Sequence, residues 1–327
     1  MTLDKADLEN FPVAPFFLPA AWRADLMAVY GFARLVDDAG DGDLADPAGV
    51  ARLLGVAVPA PAAPAASGPL TPEESAFRLG LLDGLERDLD RVFEAALDPT
   101  ALDDPTALDP AALDPAARSG GAGPRHPLMR ALVPMVGKHA LTPEPFRRLI
   151  EANRVDQSTA RYARHEDLIG YCRLSADPVG RLVLALAGVA TPERIELSDA
   201  VCSALQIVEH LQDVAEDLAR GRIYLPTEDL ARFGVSEADL AAPTAGPAVR
   251  ELIAFEADRA RTLLDRGAPL VGTVRGRLRL LLAGFTAGGY AALAAVEAAG
   301  YDVLAQQAKP DKRRLAVKAA AIFAKGR

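Results

Sequence analysis

The sequence contains few of the residues that usually build zinc sites and disulfide frameworks. Among 327 residues there are two cysteines, Cys172 and Cys202, and four histidines, with no Cys-x-x-Cys pair and no Cys/His cluster. A zinc site is therefore not expected. Both cysteines lie in apolar, helical surroundings, so we predict free core thiols in a reducing compartment.

Basic residues are fewer than acidic residues. The chain has 36 Lys and Arg against 45 Asp and Glu, for a formal net charge of -9. A protein that binds nucleic acid generally needs a basic face for the phosphate backbone, so we expect no nucleic-acid partner. A local basic patch for a small anion is still compatible with this composition.

Alternating β-branched segments are rare, and no apolar run is long enough for a clear membrane span. The longest uncharged run without proline, residues 280–296, falls short of the ~20 residues that cross a bilayer, so we predict a buried core helix. The first residues, MTLDKADLEN, lack a basic segment followed by an apolar one. We therefore expect no secretory signal and a cytoplasmic protein.

Helical apolar spacing fills most of the chain, punctuated by Gly and Pro. Two stretches rich in Pro and Ala, near 55–72 and 98–127, interrupt this pattern and are predicted to be surface loops. We expect one all-α domain over residues 1–327. The predicted helices are 20–40, 71–97, 128–139, 143–161, 166–188, 192–220, 247–266, 271–298 and 312–324.

Two short motifs concentrate acids at helical spacing. Each contains an Asp-x-x-x-Asp pair, which lies one turn apart on a helix and repels itself unless a cation offsets the charge. Mg²⁺ takes carboxylate oxygens and shares its remaining positions with water and phosphate oxygens. The acids are Asp37, Asp38 and Asp41 in YGFARLVDDAGDGD, and Glu209, Asp213 and Asp217 in EHLQDVAEDLARGR.

A single pair of this kind is weak evidence, because an exposed acidic helix face is its ordinary explanation. Apolar neighbours and nearby arginines, Arg34 in the first motif and Arg222 in the second, favour a metal-bound diphosphate instead. His210 lies inside the second motif. At about 100° per residue it is expected to turn away from the Asp213/Asp217 face, so we predict a packing role.

Four segments in order resemble the squalene/phytoene synthases, all-α enzymes of the isoprenoid-synthase fold whose helical bundle surrounds a central apolar cavity. VYGFARLVDDAGD and LQIVEHLQDVAEDLARGRIYLP are similar to the two aspartate motifs of that family. YCRLSADPVGRLVL is similar to its central segment, and GYAALAAVEAAGYDVL to its C-terminal segment. The resemblance covers nearly the whole chain apart from the two Pro-rich loops.

The resemblance implies a role for each site residue. Mg²⁺, with Mn²⁺ as the alternative metal, would be held around an allylic diphosphate by Asp37, Asp41, Asp213 and Asp217, assisted by Asp38. Glu209 stands where many members have Asn and is either a further ligand or a neutral neighbour. The diphosphate partners would be Arg34, Arg181 and Arg222, and the substrate cavity would be lined by Phe11, Tyr30, Tyr171, Gln206 and Tyr224.

Two departures indicate the branch. Members that couple two prenyl diphosphates usually carry His-x-Lys before the phenylalanine at position 11, where this chain has LENF. The central segment reads SADPVG where coupling members have a sequence similar to VAGTVG, although Asp177 stands where Asn is expected. Both traits resemble the bacterial hydroxysqualene synthases, which ionise presqualene diphosphate, rearrange the cation and capture water. No NADPH is implied.

Three alternatives stay open: head-to-head coupling of two farnesyl or geranylgeranyl diphosphates, a non-catalytic helical lipid-binding protein, and a phosphohydrolase. The preceding and following enzymes of the squalene route are expected partners. The basic C-terminal segment is either a solvated helix or a peripheral contact with the inner face of an anionic membrane. Its basic residues are Lys312, Arg313, Arg314, Lys318 and Lys325.

Overall fold

The computed structural model describes residues 13–59, 71–97, 123–305 and 312–326, and this part of the chain forms sixteen helices. Its β-structure is limited to one isolated parallel bridge between Arg161 and Ile223. The prediction of an all-α protein is confirmed. Phe11 and most of both Pro-rich stretches (60–70 and 98–122) lie outside the described residues.

The contacts group the chain into two compact units, Met1–Ser158 and Thr159–Arg327. The prediction of a single domain stays a prediction. In the first unit, α3 contacts each of the other five helices, and α1 also packs against α4 and α6. The helices of this unit are α1 (Ala20–Asp41), α2 (Pro47–Leu54), α3 (Pro72–Ala96), α4 (Pro127–Arg130), α5 (Val133–His139) and α6 (Glu144–Val155).

Helix α3 begins at a capping box. Thr71 accepts a hydrogen bond from the backbone N–H of Glu74, and the Glu74 carboxylate accepts one from the backbone N–H of Thr71. These contacts satisfy N–H groups that the first helical turn leaves unpaired. Apolar residues at helical spacing along α3, including Leu85 and Leu89, are fully buried. The helix is therefore a central core element of the first unit.

Asp88 on α3 anchors the chain that leads into α4. Its carboxylate is fully buried and accepts hydrogen bonds from the backbone N–H groups of Arg125 and His126, at 2.8 Å each. Arg91 pairs with the same carboxylate at 3.0 Å. Burial lowers the pKa of His126 to about 4, so its imidazole is neutral at physiological pH.

In the second unit, α9 is the central element and contacts α7, α8, α10, α13, α14 and α15. Helices α9 and α13 lie very close where α13 ends, because a Cβ on Gly267 would come within 2.7 Å of the Leu197 carbonyl oxygen. The helices are α7 (His165–Ser175), α8 (Asp177–Leu186), α9 (Pro192–Gln212), α10 (Val214–Ala219), α11 (Thr227–Phe233), α12 (Glu237–Leu240), α13 (Pro247–Gly267), α14 (Leu270–Thr273), α15 (Gly276–Ala298) and α16 (Lys312–Lys325).

Several predicted helices are divided or shorter in the structure. The predicted 192–220 helix breaks at Asp213, whose φ of -107° and ψ of 14° end α9 and precede α10. Aspartate tolerates such a break because its short side chain competes with the helical backbone. The predicted 166–188 helix breaks at Ala176, and the 143–161 helix ends at Val155. The short helices α2, α11 and α12 were not predicted.

Helix α15 contains residues 280–296, the longest uncharged run without proline. By length and composition alone it could cross a membrane, and 61% of its most apolar window is buried inside the protein. Buried residues such as Leu281, Ala287 and Val296 recur along its length. This burial agrees with the predicted core helix.

Candidate active site

The first acidic motif occupies the C-terminal turns of α1, which ends where Gly42 takes a left-handed conformation (φ 80°). Asp38 points into the protein, with only 4% of its surface exposed, and its Oδ1 lies 3.0 Å from Nε of Arg34. Asp37 is accessible to solvent and Asp41 is half-buried. Asp37 and Asp41 are therefore the more accessible acids of this motif for an external ligand.

Asp37 is held by an amide from α6. Nδ2 of Asn153 donates to its Oδ1 at 2.9 Å. Although water reaches the carboxylate, the protein atoms packed around it desolvate it and raise its pKa to about 6; the Asn153 hydrogen bond lowers the pKa and the charge of Asp41 raises it. A carboxylate in such surroundings gains from a cation that replaces the lost hydration.

Gly40 makes this contact sterically feasible. A Cβ at this position would come within 2.2 Å of Oδ1 of Asn153. Its carbonyl oxygen accepts hydrogen bonds from Gln157 and Arg78, at 3.0 and 3.1 Å. Sequence reasoning missed Asn153 and Gln157. Their signal was two amides four residues apart within the predicted 143–161 helix.

The second acidic motif spans the break between α9 and α10. The backbone N–H groups of Asp217 and Arg222 donate to the carbonyl oxygens of Asp213 and Asp217 respectively, both at 2.8 Å. The two aspartates thus keep their one-turn spacing although the helix is interrupted. Oδ2 of Asp217 is buried without a hydrogen-bond partner among the described residues. An unsatisfied buried carboxylate oxygen is a suitable ligand for a cation.

Four aromatic side chains cluster beside this motif. Tyr162, Tyr171 and Tyr224 are each less than a tenth exposed. The ring centroid of Tyr224 lies 5.5 Å from that of Tyr171 and 5.7 Å from that of Tyr162. The His210 ring stacks on Tyr224 at 3.7 Å between centroids. Aromatic faces of this kind can stabilise a cation.

The expectation that His210 turns away from the acids is wrong. Its Nδ1 lies 3.8 Å from Oδ2 of Asp217. The two residues are seven positions apart, which is nearly two full helical turns and places them on one face. The i,i+7 spacing was the signal in the sequence.

Two further residues of the second unit are engaged with neighbours. Arg181 makes a two-pronged ion pair with Asp199, at 3.0 and 2.7 Å. Asp177, the first residue of α8, is buried and accepts a hydrogen bond from Ser203 at 2.8 Å, and burial raises its pKa to about 7. The predicted role of Arg181 toward diphosphate stays a prediction, and would require a guanidinium that already serves a carboxylate.

The remaining predicted residues differ in exposure. Glu209 is exposed, whereas Tyr30, Gln206 and Arg222 are half-buried. The two cysteines are free, as predicted, and burial raises the pKa of each thiol to about 12. They are therefore protonated and unreactive at physiological pH.

Within the described ranges, no group of three or more His, Cys, Asp or Glu side chains is arranged to hold a metal ion by itself. This does not disagree with Mg²⁺, which is often bound by one or two carboxylates and completed by water and substrate phosphate oxygens. The buried, unsatisfied Oδ2 of Asp217 fits such an ion.

The chain is thus an all-helical protein with two acidic motifs, each braced by polar side chains of its own unit. A family model described as squalene/phytoene synthase matches residues 5–314. The chain belongs to this family and is an enzyme of it, and the family uses prenyl diphosphate substrates and divalent metal.

Curated relatives include hydroxysqualene synthases and phytoene synthases. The hydroxysqualene synthase of Sinorhizobium fredii is 30% identical, covering 82% of this chain and 72% of that protein. That of Rhodopseudomonas palustris is 29% identical over 82% of this chain and 72% of the relative. A phytoene synthase of Arthrospira platensis is 38% identical over 44% of this chain, and the match spans about half (52%) of that relative.

Solved structures share the fold. The squalene synthase HpnC of Alicyclobacillus acidocaldarius superposes with a TM-score of 0.68 at 37% identity, covering 91% of this chain and 92% of that one. A dehydrosqualene synthase superposes with a TM-score of 0.72 at 22% identity, over 99% and 94% of the two chains. The predicted isoprenoid-synthase fold is confirmed.

Proposed function

We propose that this enzyme ionises presqualene diphosphate in the presence of Mg²⁺, rearranges the resulting cation and captures water to give hydroxysqualene and diphosphate. The observation that carries the proposal is the fraction of this chain that each group of relatives matches. Hydroxysqualene synthases match about four fifths of this chain (82%), whereas the phytoene synthase of Arthrospira platensis matches 44%.

In this proposal the aspartates of the two acidic motifs would hold Mg²⁺, with Mn²⁺ as the alternative. These aspartates are Asp37, Asp41, Asp213 and Asp217. The metal would neutralise the charge of the leaving diphosphate. Asp38 would have a supporting role because its carboxylate is paired with Arg34.

The other predicted residues would bind and shape the substrate. Arg34, Arg181 and Arg222 would neutralise the remaining phosphate charge through guanidinium hydrogen bonds. Tyr171 and Tyr224 belong to the buried aromatic cluster, which suits a carbocation because ring faces attract positive charge without acting as nucleophiles. Tyr30, Gln206 and Phe11 would complete the cavity.

The experiment that tests this proposal compares two substrates. Purified enzyme with Mg²⁺ and without NADPH is incubated with presqualene diphosphate or with farnesyl diphosphate, and the extracts are analysed by mass spectrometry. Hydroxysqualene formed from presqualene diphosphate is the expected result. Asp37→Asn and Asp213→Asn should abolish turnover, whereas Asp25→Asn, which removes a carboxylate that pairs with Lys138 elsewhere on α1, should retain it.

Head-to-head coupling of two prenyl diphosphates is the second candidate function. The higher local identity to the Arthrospira phytoene synthase, 38% over 160 residues, favours it. Consumption of farnesyl diphosphate alone, with a coupled product, would replace the first proposal by this one. Release of diphosphate without a rearranged product would indicate a phosphohydrolase. Membership of an enzyme family gives no support to a non-catalytic lipid-binding role.

We also propose peripheral contact with an anionic membrane through α16, where the apolar product would leave. Val317 and Phe323 on this helix are 73% and 39% exposed. A mostly apolar cavity of about 530 Å³ lies between α13, α15 and α16, with Lys318 in its lining. Co-sedimentation with vesicles containing phosphatidylserine tests this, and Val317→Glu should weaken the binding. We propose in addition that the enzyme lies at the inner face of the membrane. The preceding and following enzymes of the route would be its neighbours there.

A further inference from the structure

His210, on the last turn of α9, lies close to three residues of the predicted site, all of them in the second unit. Its Nδ1 lies 3.8 Å from Oδ2 of Asp217. Its ring is stacked nearly parallel to that of Tyr224, with 3.7 Å between centroids and 11° between planes. Its Nε2 lies 3.3 Å from Nε2 of Gln206. One side chain therefore touches an acid, an aromatic ring and an amide of the predicted site.

The contacts with Asp217 and Gln206 fit the same tautomer of the imidazole. The carboxylate can only accept, so an N–H group on Nδ1 suits Asp217, and with the Gln206 amide nitrogen facing it Nε2 accepts. A neutral imidazole carries a single proton, which must then lie on Nδ1. The Nδ1–H group is therefore the one that faces Asp217.

The carboxylate oxygen that faces this N–H group is otherwise unsatisfied. Oδ2 of Asp217 is buried and accepts no hydrogen bond from the part of the chain that the structure describes, which is costly for a carboxylate. The 3.8 Å separation would shorten to a hydrogen bond with a movement of about 1 Å. Carboxylates that ligate metals are commonly held by such hydrogen bonds, and a carboxylate oxygen that accepts one keeps a second lone pair for a cation.

We infer that His210 is a positioning residue: its Nδ1–H group orients the Asp217 carboxylate for the metal–diphosphate complex while its ring holds the Tyr224 ring in place. The inference rests on the proposed function, in which Asp217 is a metal ligand. A packing role alone would need the ring and not the N–H group. The two roles can therefore be separated by substitutions that retain one and remove the other.

The test measures metal binding without turnover. The dissociation constant of Mg²⁺ is determined by calorimetry with saturating inorganic diphosphate, for the wild type, His210→Phe and His210→Asn. Phe keeps a ring to stack on Tyr224 but has no N–H; Asn carries an amide donor close to the position of Nδ1 and has no ring. His139→Phe is the matched control, because it removes a His–Asp contact of 2.9 Å to Asp25 that lies in the first unit.

We expect His210→Phe to weaken Mg²⁺ binding by roughly 10- to 100-fold, with the melting temperature of the metal-free protein nearly unchanged. His210→Asn should restore most of the affinity, and His139→Phe should not alter it. Equal Mg²⁺ affinity in His210→Phe and the wild type overturns the inference and leaves the proposed function standing. Equal weakening in the Asn and Phe variants has the same consequence. If the wild type itself does not bind Mg²⁺ with diphosphate, the proposed function fails and the inference fails with it. Should His210→Phe not fold, His210→Leu takes its place as the variant without a donor.

Discussion

Asn153 donates a hydrogen bond to Asp37 over 2.9 Å, although 116 positions separate the two residues in the chain. The contact joins α6 to the last turns of α1 within the first unit. It acts on an acid whose carboxylate is otherwise desolvated by the protein around it. A neutral amide thus supports the charged form of a predicted metal ligand without adding to the negative charge of the motif.

Replacing this amide should weaken metal binding. In Asn153→Ala the pKa of Asp37 rises further, because the hydrogen bond that lowers it is lost, and the carboxylate also loses its orientation. We expect Mg²⁺ affinity with inorganic diphosphate, measured by calorimetry, to fall by roughly 10-fold or more. Gln157→Ala is the control, since that side chain contacts backbone carbonyl oxygens and not Asp37. Equal affinity in both variants would contradict the role given to Asn153.

A methyl group at Gly40 should disturb the same contact by steric means. Gly40→Ala places a Cβ within 2.2 Å of the Asn153 amide oxygen, so the side chain must move or the helices must separate. We expect a loss of about 1–3 kcal/mol in the free energy of unfolding, measured by urea denaturation, together with weaker Mg²⁺ binding. Gly170→Ala on α7 has open space around the new methyl and should be neutral or stabilising. A Gly40→Ala protein as stable as wild type would refute this packing argument.

Stability should fall with pH in the range where His126 would gain a proton on unfolding. Its pKa is about 4 in the folded protein, against an ordinary value of 6.5 for histidine. Between these values the unfolded chain binds more protons, so acid favours unfolding, by up to about 3 kcal/mol once the pH falls below 4. Urea denaturation from pH 7 to pH 4 measures this.

His126→Asn serves as the matched variant for that experiment. Nδ1 of His126 accepts a hydrogen bond from the backbone N–H of Leu128 at the start of α4, and Asn can supply an acceptor there without titrating. The difference in stability between wild type and variant should change with pH between about 4 and 6.5. If the two proteins lose stability in parallel, His126 does not carry the effect.

Removal of the Asp88 carboxylate should be more damaging than removal of an exposed acid on the same helix. Asp88→Ala leaves the backbone N–H groups of Arg125 and His126 without their acceptor, and we expect a loss of about 3 kcal/mol. Asp90 is 45% exposed and pairs with Arg147 at the surface, so Asp90→Ala should cost less than about 1 kcal/mol. Similar midpoints of urea denaturation for the two variants would show that the buried contacts contribute little.

The sequence alone was sufficient to predict the fold class, the family and most helix positions. Helical apolar spacing is a local, repeated signal, and the four family-like segments are contiguous stretches that can be read directly. The start and end of the long helices α1 and α3 were predicted within one residue, because Pro, Thr and Gly mark their ends. The predicted 271–298 helix ends as expected at Ala298, but it is divided into α14 and α15, and α15 begins at Gly276. The two acidic motifs are likewise contiguous stretches that can be found directly in the sequence.

Other features depended on the tertiary structure. The break at Asp213 arises from one residue's backbone angles, which helical spacing does not reveal. The contacts of Asn153 with Asp37 and of His210 with Asp217 come from packed helices and from a seven-residue separation. The spacing of Asn153 and His210 is compatible with these contacts, but many ordinary polar residues share it, so the sequence alone did not single them out. A hydrogen bond is directional and requires atoms within about 3 Å. The sequence therefore determined which residues are predicted to carry the chemistry, and the packing of the helices decided which neighbours contact them.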